Sequence, residues 1–160
     1  MTPVEVIEQV LNAKFLNPSL IYIPDVGATV DDLESLSKKL PRKISDSHAC
    51  LLQRWNGINL GVIRVFSATS GNRRLRYLID FQLEEIEGIS GAVVFGDDPA
   101  GFVYLEDSVG EIYTLDSDPA CLKRVAADLS DFFARLVFGK DASDFAGAEW
   151  HRDLRRVGLG

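Results

Sequence analysis

GAVVFGDDPAGFVYLEDSVGEIYTLDSD, residues 91–118, is the stretch whose reading decides the fold. Three short runs rich in apolar, β-branched and aromatic residues, 91–95, 101–106 and 111–115, are separated by GDDPAG and DSVG. The Gly and Asp residues of those separators tolerate the positive φ that tight turns demand, so the segment reads as consecutive antiparallel strands. Upstream, 60–66 and 74–81 read as two further β-rich runs around a turn at Ser70, Gly71 and Asn72, as a hairpin requires. Residues 82–88 read as a bend or a single helical turn. The expected architecture is α+β: a mainly antiparallel sheet of about five or six strands, with helices packed on one face.

The helices are read from apolar spacing and caps. Val4, Ile7, Val10 and Leu11 recur at helical intervals, and Asn17 with Pro18 is expected to end that helix. Thr29 and Asp32 stand at capping-box spacing before Leu33, Leu36 and Leu40, and Pro41 stops the stripe. Ser45 opens a third helix with Asp46 in its first turn, Leu51, Leu52 and Trp55 on its core face and Asn56–Gly57 at its end. His48 lies beside that stripe and reads as a half-buried structural histidine. Asp118 and Pro119 form a good N-cap and N1 pair for a long helix over 119–138, with Leu122, Val125, Ala126, Leu129, Phe133, Leu136 and Val137 on one face. A last helix is expected from Asp144 towards Arg156, with Phe145, Ala148 and Leu154 inward.

A chain of 160 residues, 46% of them hydrophobic, fits one ordinary globular domain. No apolar run approaches the ~20 residues that cross a bilayer, and no basic segment precedes an apolar stretch near Thr2, so the expected setting is cytoplasmic, away from the membrane. Cys50 and Cys121 have neither CxxC spacing nor paired His residues nearby, so they are expected to be buried free thiols rather than a disulfide framework or a zinc site.

The formal charge of −7 argues against nucleic acid as a partner, because binding duplex phosphates requires clustered cations. The one basic cluster, Arg73, Arg74 and Arg76, reads as a solvated strand face. Between Arg76 and Lys123 the chain has eleven Asp and Glu residues and no Lys or Arg. Carboxylates held on a sheet raise encounter rates with a basic partner over a Debye length of ~8 Å at physiological salt. The candidate contacts are Asp97, Asp98, Glu106, Asp107, Glu111 and Asp116, with Trp55 and Trp150 as possible anchors.

Catalytic signatures are missing from the sequence. His48 and Cys50 are two apart on a helix and point to different faces, and no GxSxG, HExxH, P-loop or dinucleotide GxGxxG occurs. Asp97 with Asp98, and Asp116 with Asp118, could hold a hard cation or act as paired acids, yet neither has diagnostic spacing. No cofactor and no metal are expected.

Leu40 and Pro41, then Trp55, Asn56 and Gly57, then VVFGDDPAG at 93–101, then Gly110, Glu111, Ile112 and Tyr113, and finally Val125, Leu129, Phe132 and Phe133 follow one another in an order that resembles the SUKH superfamily, whose members are similar to the fungal Smi/Knr cell-wall regulators. The resemblance spans 30–140, leaving 1–28 and 141–160 as elaborations of a single domain. It implies an α+β domain acting without catalysis, most often as an immunity protein that binds and neutralises a cognate secreted toxin. Together with the charge, it makes that toxin a basic, nuclease-type domain. The alternative is a regulatory scaffold that binds a cellular enzyme or signalling protein.

Overall fold

The computed structural model describes residues 1–84, 86–117 and 120–160. Local capping chemistry sets the first three helices. In α1 (Pro3–Asn12) the Thr2 hydroxyl accepts from the Glu5 N–H while the Glu5 carboxylate accepts from the Thr2 N–H, and Pro3 takes the N1 position. The same reciprocal cap forms between Thr29 and Asp32 at the start of α2 (Val30–Lys38). Ser45 accepts from the His48 N–H to open α3 (Asp46–Arg54).

Two of these helices end earlier than the sequence suggests. The first stops at Asn12, because Lys14 adopts φ 53° and turns the chain before Asn17 and Pro18 are reached. The third stops at Arg54 with Trp55 already extended, so Gly57 closes no helix. Its positive φ instead serves a close approach, since a Cβ there would press on the backbone of Ser67 and Val65.

Six strands follow in sequential antiparallel order: β1 (Ile58–Asn59), β2 (Arg64–Val65), β3 (Val93–Asp97), β4 (Val103–Glu106), β5 (Ile112–Ser117) and β6 (Ala120–Ala126). The expected α+β class and antiparallel sheet are present. The strand expected over 60–66 contains a turn, with the Leu60 N–H donating to the Ile63 carbonyl and Gly61 at φ 83°. The strand expected over 74–81 does not form. Only a single bridge joins Tyr77 to Ser67, and Leu78–Phe81 is a 3₁₀ helix that buries Leu78 and sets Phe81 against Phe66 with ring centroids 4.9 Å apart. Where β2 ends, the Gln82 amide takes over the free edge of β3: it accepts from the Val94 N–H at 2.9 Å and donates to the Val94 carbonyl at 2.8 Å. One side chain thus does the work of a peptide unit on an edge that would otherwise be open.

The largest correction concerns 119–138. Residues 120–126 pair with β5 along the whole of β6, and the helix begins only at Leu129, where Asp128 accepts from the Asp131 N–H at 2.7 Å. The expected N-cap pair Asp118–Pro119 lies outside the described residues. Helix α4 (Leu129–Asp131) runs on as a π-helical segment, Phe132–Val137, that buries Phe132, Phe133, Leu136 and Val137. The expected last helix is two, α5 (Ala142–Ala146) and α6 (Ala148–Arg156), because Gly147 at φ 95° breaks the chain direction between them. Leu154 is buried and Phe145 half-buried as expected, but Ala148 is exposed.

Phe132 stands at the centre of the core. Its ring meets Phe95 of β3 edge-on at 5.5 Å, Tyr104 of β4 at 5.2 Å, Phe133 at 5.1 Å and Phe145 of α5 at 6.0 Å. These contacts pin the C-terminal helical layer to the middle of the sheet, and edge-to-face pairs add to the burial itself. Cys50 and Cys121 are both exposed, contrary to the expected buried thiols. Among the described residues no helix is long and apolar enough to cross a membrane. Replacing Phe132 by Ala is expected to cost about 3–5 kcal/mol, the range for emptying a buried aromatic site. Denaturant unfolding measures it, and a loss below about 1 kcal/mol would mean that Phe132 is not the joint between the layers.

Candidate functional site

The acidic run is not one open face. Asp97, 5% exposed, ends β3, and its two carboxylate oxygens accept from the Arg64 guanidinium at 2.7 and 2.9 Å. Arg76 adds a second cation at 3.2 Å and lies over the Phe81 ring, while Arg74 lies over Tyr22; the basic cluster is thus partly spent inside the molecule rather than free on a strand. Asp98, 8% exposed, holds the turn into β4 by accepting from the Ala100 and Phe102 N–H groups and from the Tyr104 hydroxyl at 2.7 Å. Burial and that carboxylate together push the Tyr104 phenol well above its ordinary range.

Glu106, 2% exposed, sits under α3. Its carboxylate accepts from the Ser45 hydroxyl at 2.9 Å and faces the Arg42 guanidinium at 3.5 Å, yet burial outweighs both and raises its pKa. Three of the expected contact residues, Asp97, Asp98 and Glu106, are therefore inside the protein and already bonded. Trp55 is also core, and Trp150 is half-buried against Phe15 and Phe138 with its indole N–H donating to the Val137 carbonyl.

Of the other expected contacts, Asp107 is half-buried and its carboxylate fixes the turn between β4 and β5 by accepting from the Val109 and Glu111 N–H groups. Glu111 is half-buried, with Arg124 at 3.3 Å and the Tyr113 hydroxyl donating to it. Asp116 lies half-buried on β5 opposite Cys121.

The carboxylates of the run that do face solvent among the described residues are Asp80, in the 3₁₀ helix, and Glu84 and Glu87, on the connection from it to β3, and none of the three has an ion-pair partner there. That connection abuts the 107–110 turn, where the Ser108 N–H donates to the Ser90 carbonyl at 3.0 Å. Each segment exposes an apolar side chain, Leu83 at 45% next to Glu84 and Val109 at 78% in the 107–110 turn. The sequence contains part of the signal for this edge, since 82–88, which reads as a bend or a helical turn, holds three acids of the eleven.

Arg42 clamps this edge from below. Its Nε donates to the Gly91 carbonyl at 2.6 Å, and one terminal nitrogen donates to the carbonyls of Glu106 and Asp107 at 2.8 and 2.9 Å. Among the described residues no group of three or more His, Cys, Asp or Glu side chains could hold a metal ion.

The model of the SMI1 / KNR4 family (SUKH-1) matches residues 27–135, from the turn before α2 into the π-helical segment, whereas no solved structure matches the chain. Asp97→Ala, which strands the Arg64 and Arg76 guanidinium groups, is expected to destabilise by about 3 kcal/mol, at the low end for broken buried pairs because both arginines reach solvent. Glu87→Ala is expected to stay within about 0.5 kcal/mol. Urea denaturation of the two variants checks the contrast, and equal losses would undo the division into buried and surface acids.

Proposed function

This chain belongs to the SMI1 / KNR4 family (SUKH-1), and from that premise we propose that it is a non-catalytic protein-binding module whose partner is a basic protein domain, specifically an immunity protein that neutralises a cognate toxin. The observation that carries the reading is a pair of acidic segments joined by the Ser108–Ser90 hydrogen bond, 80–90 with exposed Asp80, Glu84, Glu87 and Leu83, and the 107–110 turn with Asp107 and exposed Val109. Fixed carboxylates raise the association rate and orient a cationic partner, while apolar side chains that become dry in the complex hold it.

The edge suits this work because its loops are tethered by hydrogen bonds. Its two loops are tied to each other through Ser90 and Ser108 and to the α2–α3 connection through Arg42, so docking orders few groups and loses little conformational entropy. Blocking a toxin by occupying its surface requires no chemistry from the binder. A regulatory scaffold would draw on the same edge and the same family match, and differs only in what it binds.

Asp80→Asn, Glu84→Gln, Glu87→Gln and Asp107→Asn in one variant are expected to slow association with the toxin domain encoded in the neighbouring reading frame by about tenfold or more at low salt, the difference shrinking as salt rises. Stopped-flow or surface-plasmon measurements across an ionic-strength series give the rates, and circular dichroism confirms the fold. A variant that associates as fast as the natural chain at low salt would show the edge to be solvated surface only. A neighbouring gene product that does not bind at all would turn the reading towards the scaffold.

A further inference from the structure

We infer that His48, with the polar cluster at the start of α3, forms an acid-sensitive latch: as the pH falls its imidazole takes up a proton, and α3 with the loop before it loosens from the sheet. The histidine has no exposed surface, and among the described residues neither ring nitrogen has a hydrogen-bond partner. Its ring stands edge-on to Phe95 of β3 at 6.1 Å, one contact away from Phe132. A neutral imidazole is tolerated there as a flat ring. An imidazolium carries two N–H donors and a full charge, and the site offers it no acceptor.

The charged surroundings make the proton still less welcome. Arg42, in the connection before α3, is the cation that acts on the ring, and it is held in place by the Gly91, Glu106 and Asp107 carbonyls. The Glu106 carboxylate, on β4, is turned to Ser45 and Arg42 and makes no bond to the imidazole. From α1, which packs on α3, Glu8 is bonded to Arg54 at the far end of the helix. From α4, Asp131 is bonded to Ala127 and Arg135, and Asp128 caps its own helix. β3 presents Phe95.

Burial first, and Arg42 second, push the His48 pKa down from 6.5 to about 4. The unfolded or opened chain binds the proton at the higher value, so the neutral ring stabilises the closed state fully above pH 6.5 and that stability is lost as the pH falls towards 4. Glu106 acts with the opposite sign, because its raised pKa favours the closed state as it protonates. The latch is therefore read as a difference between the natural chain and one without the imidazole. α3 is the part that moves, since an outward shift of its first turn hydrates the charge while the ladders between β3, β4, β5 and β6 stay paired.

The experiment is hydrogen exchange resolved to α3 and to β4–β5, on the full chain from pH 8 to 5, in the natural protein, His48→Leu and His48→Phe, together with the imidazole resonances of the natural protein followed down to about pH 3. The α3 opening equilibrium should rise by about 30-fold between pH 8 and 5 in the natural chain beyond any rise in the variants, as proton linkage between 6.5 and about 4 requires. β4–β5 should respond less than α3, and the His48 resonance should titrate near the lower value. Equal pH dependence of α3 in the natural chain and a folded variant overturns the proposal, as does loss of α3 and β4–β5 protection in step. If neither variant folds, the resonance decides: a midpoint at or above 6.5 overturns the latch, and one near 4 upholds it.

Discussion

The Arg42 guanidinium is the interaction on which the arrangement of the helices over the sheet depends. A single side chain from the α2–α3 connection donates to carbonyl oxygens of Lys43, Gly91, Glu106 and Asp107 and faces the Glu106 carboxylate, so it joins the helical layer, the entry to β3 and the exit from β4 at one point. Guanidinium geometry makes this possible, because five N–H donors in a rigid plane can satisfy several fixed acceptors at once, whereas a lysine would place one compact charge there. The cost is desolvation of the charge. Burial falls on Glu106 as well and raises its pKa despite the guanidinium beside it.

That clamp also explains why buried and exposed acids have different work. Compensation for the acidic run comes from outside it: Arg42 faces Glu106, Arg64 and Arg76 face Asp97, and Arg124 faces Glu111. Asp98 has no cation and is satisfied by two backbone N–H groups and a tyrosine hydroxyl. Among the described residues the acids of the run without an ion pair include Asp80, Glu84 and Glu87 before β3 and Asp107 in the 107–110 turn. A run of like charge along the chain is thus sorted by folding into a bonded interior and a charged rim.

Sequence legibility followed the range of the interactions. The caps of α2 and α3 are local, and Thr29, Asp32 and Ser45 could be read directly; the cap formed by Thr2 and Glu5 was spelled out as plainly and went unread. The 98–101 and 107–110 turns are equally local, since each is held by an Asp within it. β6 was not legible. Leu122, Val125 and Leu129 fit a helical stripe, and what makes 120–126 a strand is the free edge of β5 waiting to be paired, a tertiary demand that overrides periodicity. The burial of Asp97 was hidden for the same reason, as Arg64 lies 33 positions away.

The parts outside the family match show how a shared core can carry chain-specific surface. Residues 27–135 contain the sheet, α2, α3 and most of the π-helical segment, including Phe132 and the Arg42 clamp. Before and after them, the loop following α1 meets α6 where Phe15 lies 5.5 Å from Trp150, and Trp150 is fastened to the end of the π-helical segment through the Val137 carbonyl. These additions close the molecule on the side of α1 and α6, while the acidic rim belongs wholly to the matched core. The rim is consequently supported by the same clamp and the same aromatic joint that support the fold. On the proposed reading, a change that shifts Arg42 or Phe132 disturbs partner binding and stability together, whereas a change at Glu84 or Glu87 alters binding with the core left as it is, because among the described residues those carboxylates form no bond on which the fold relies.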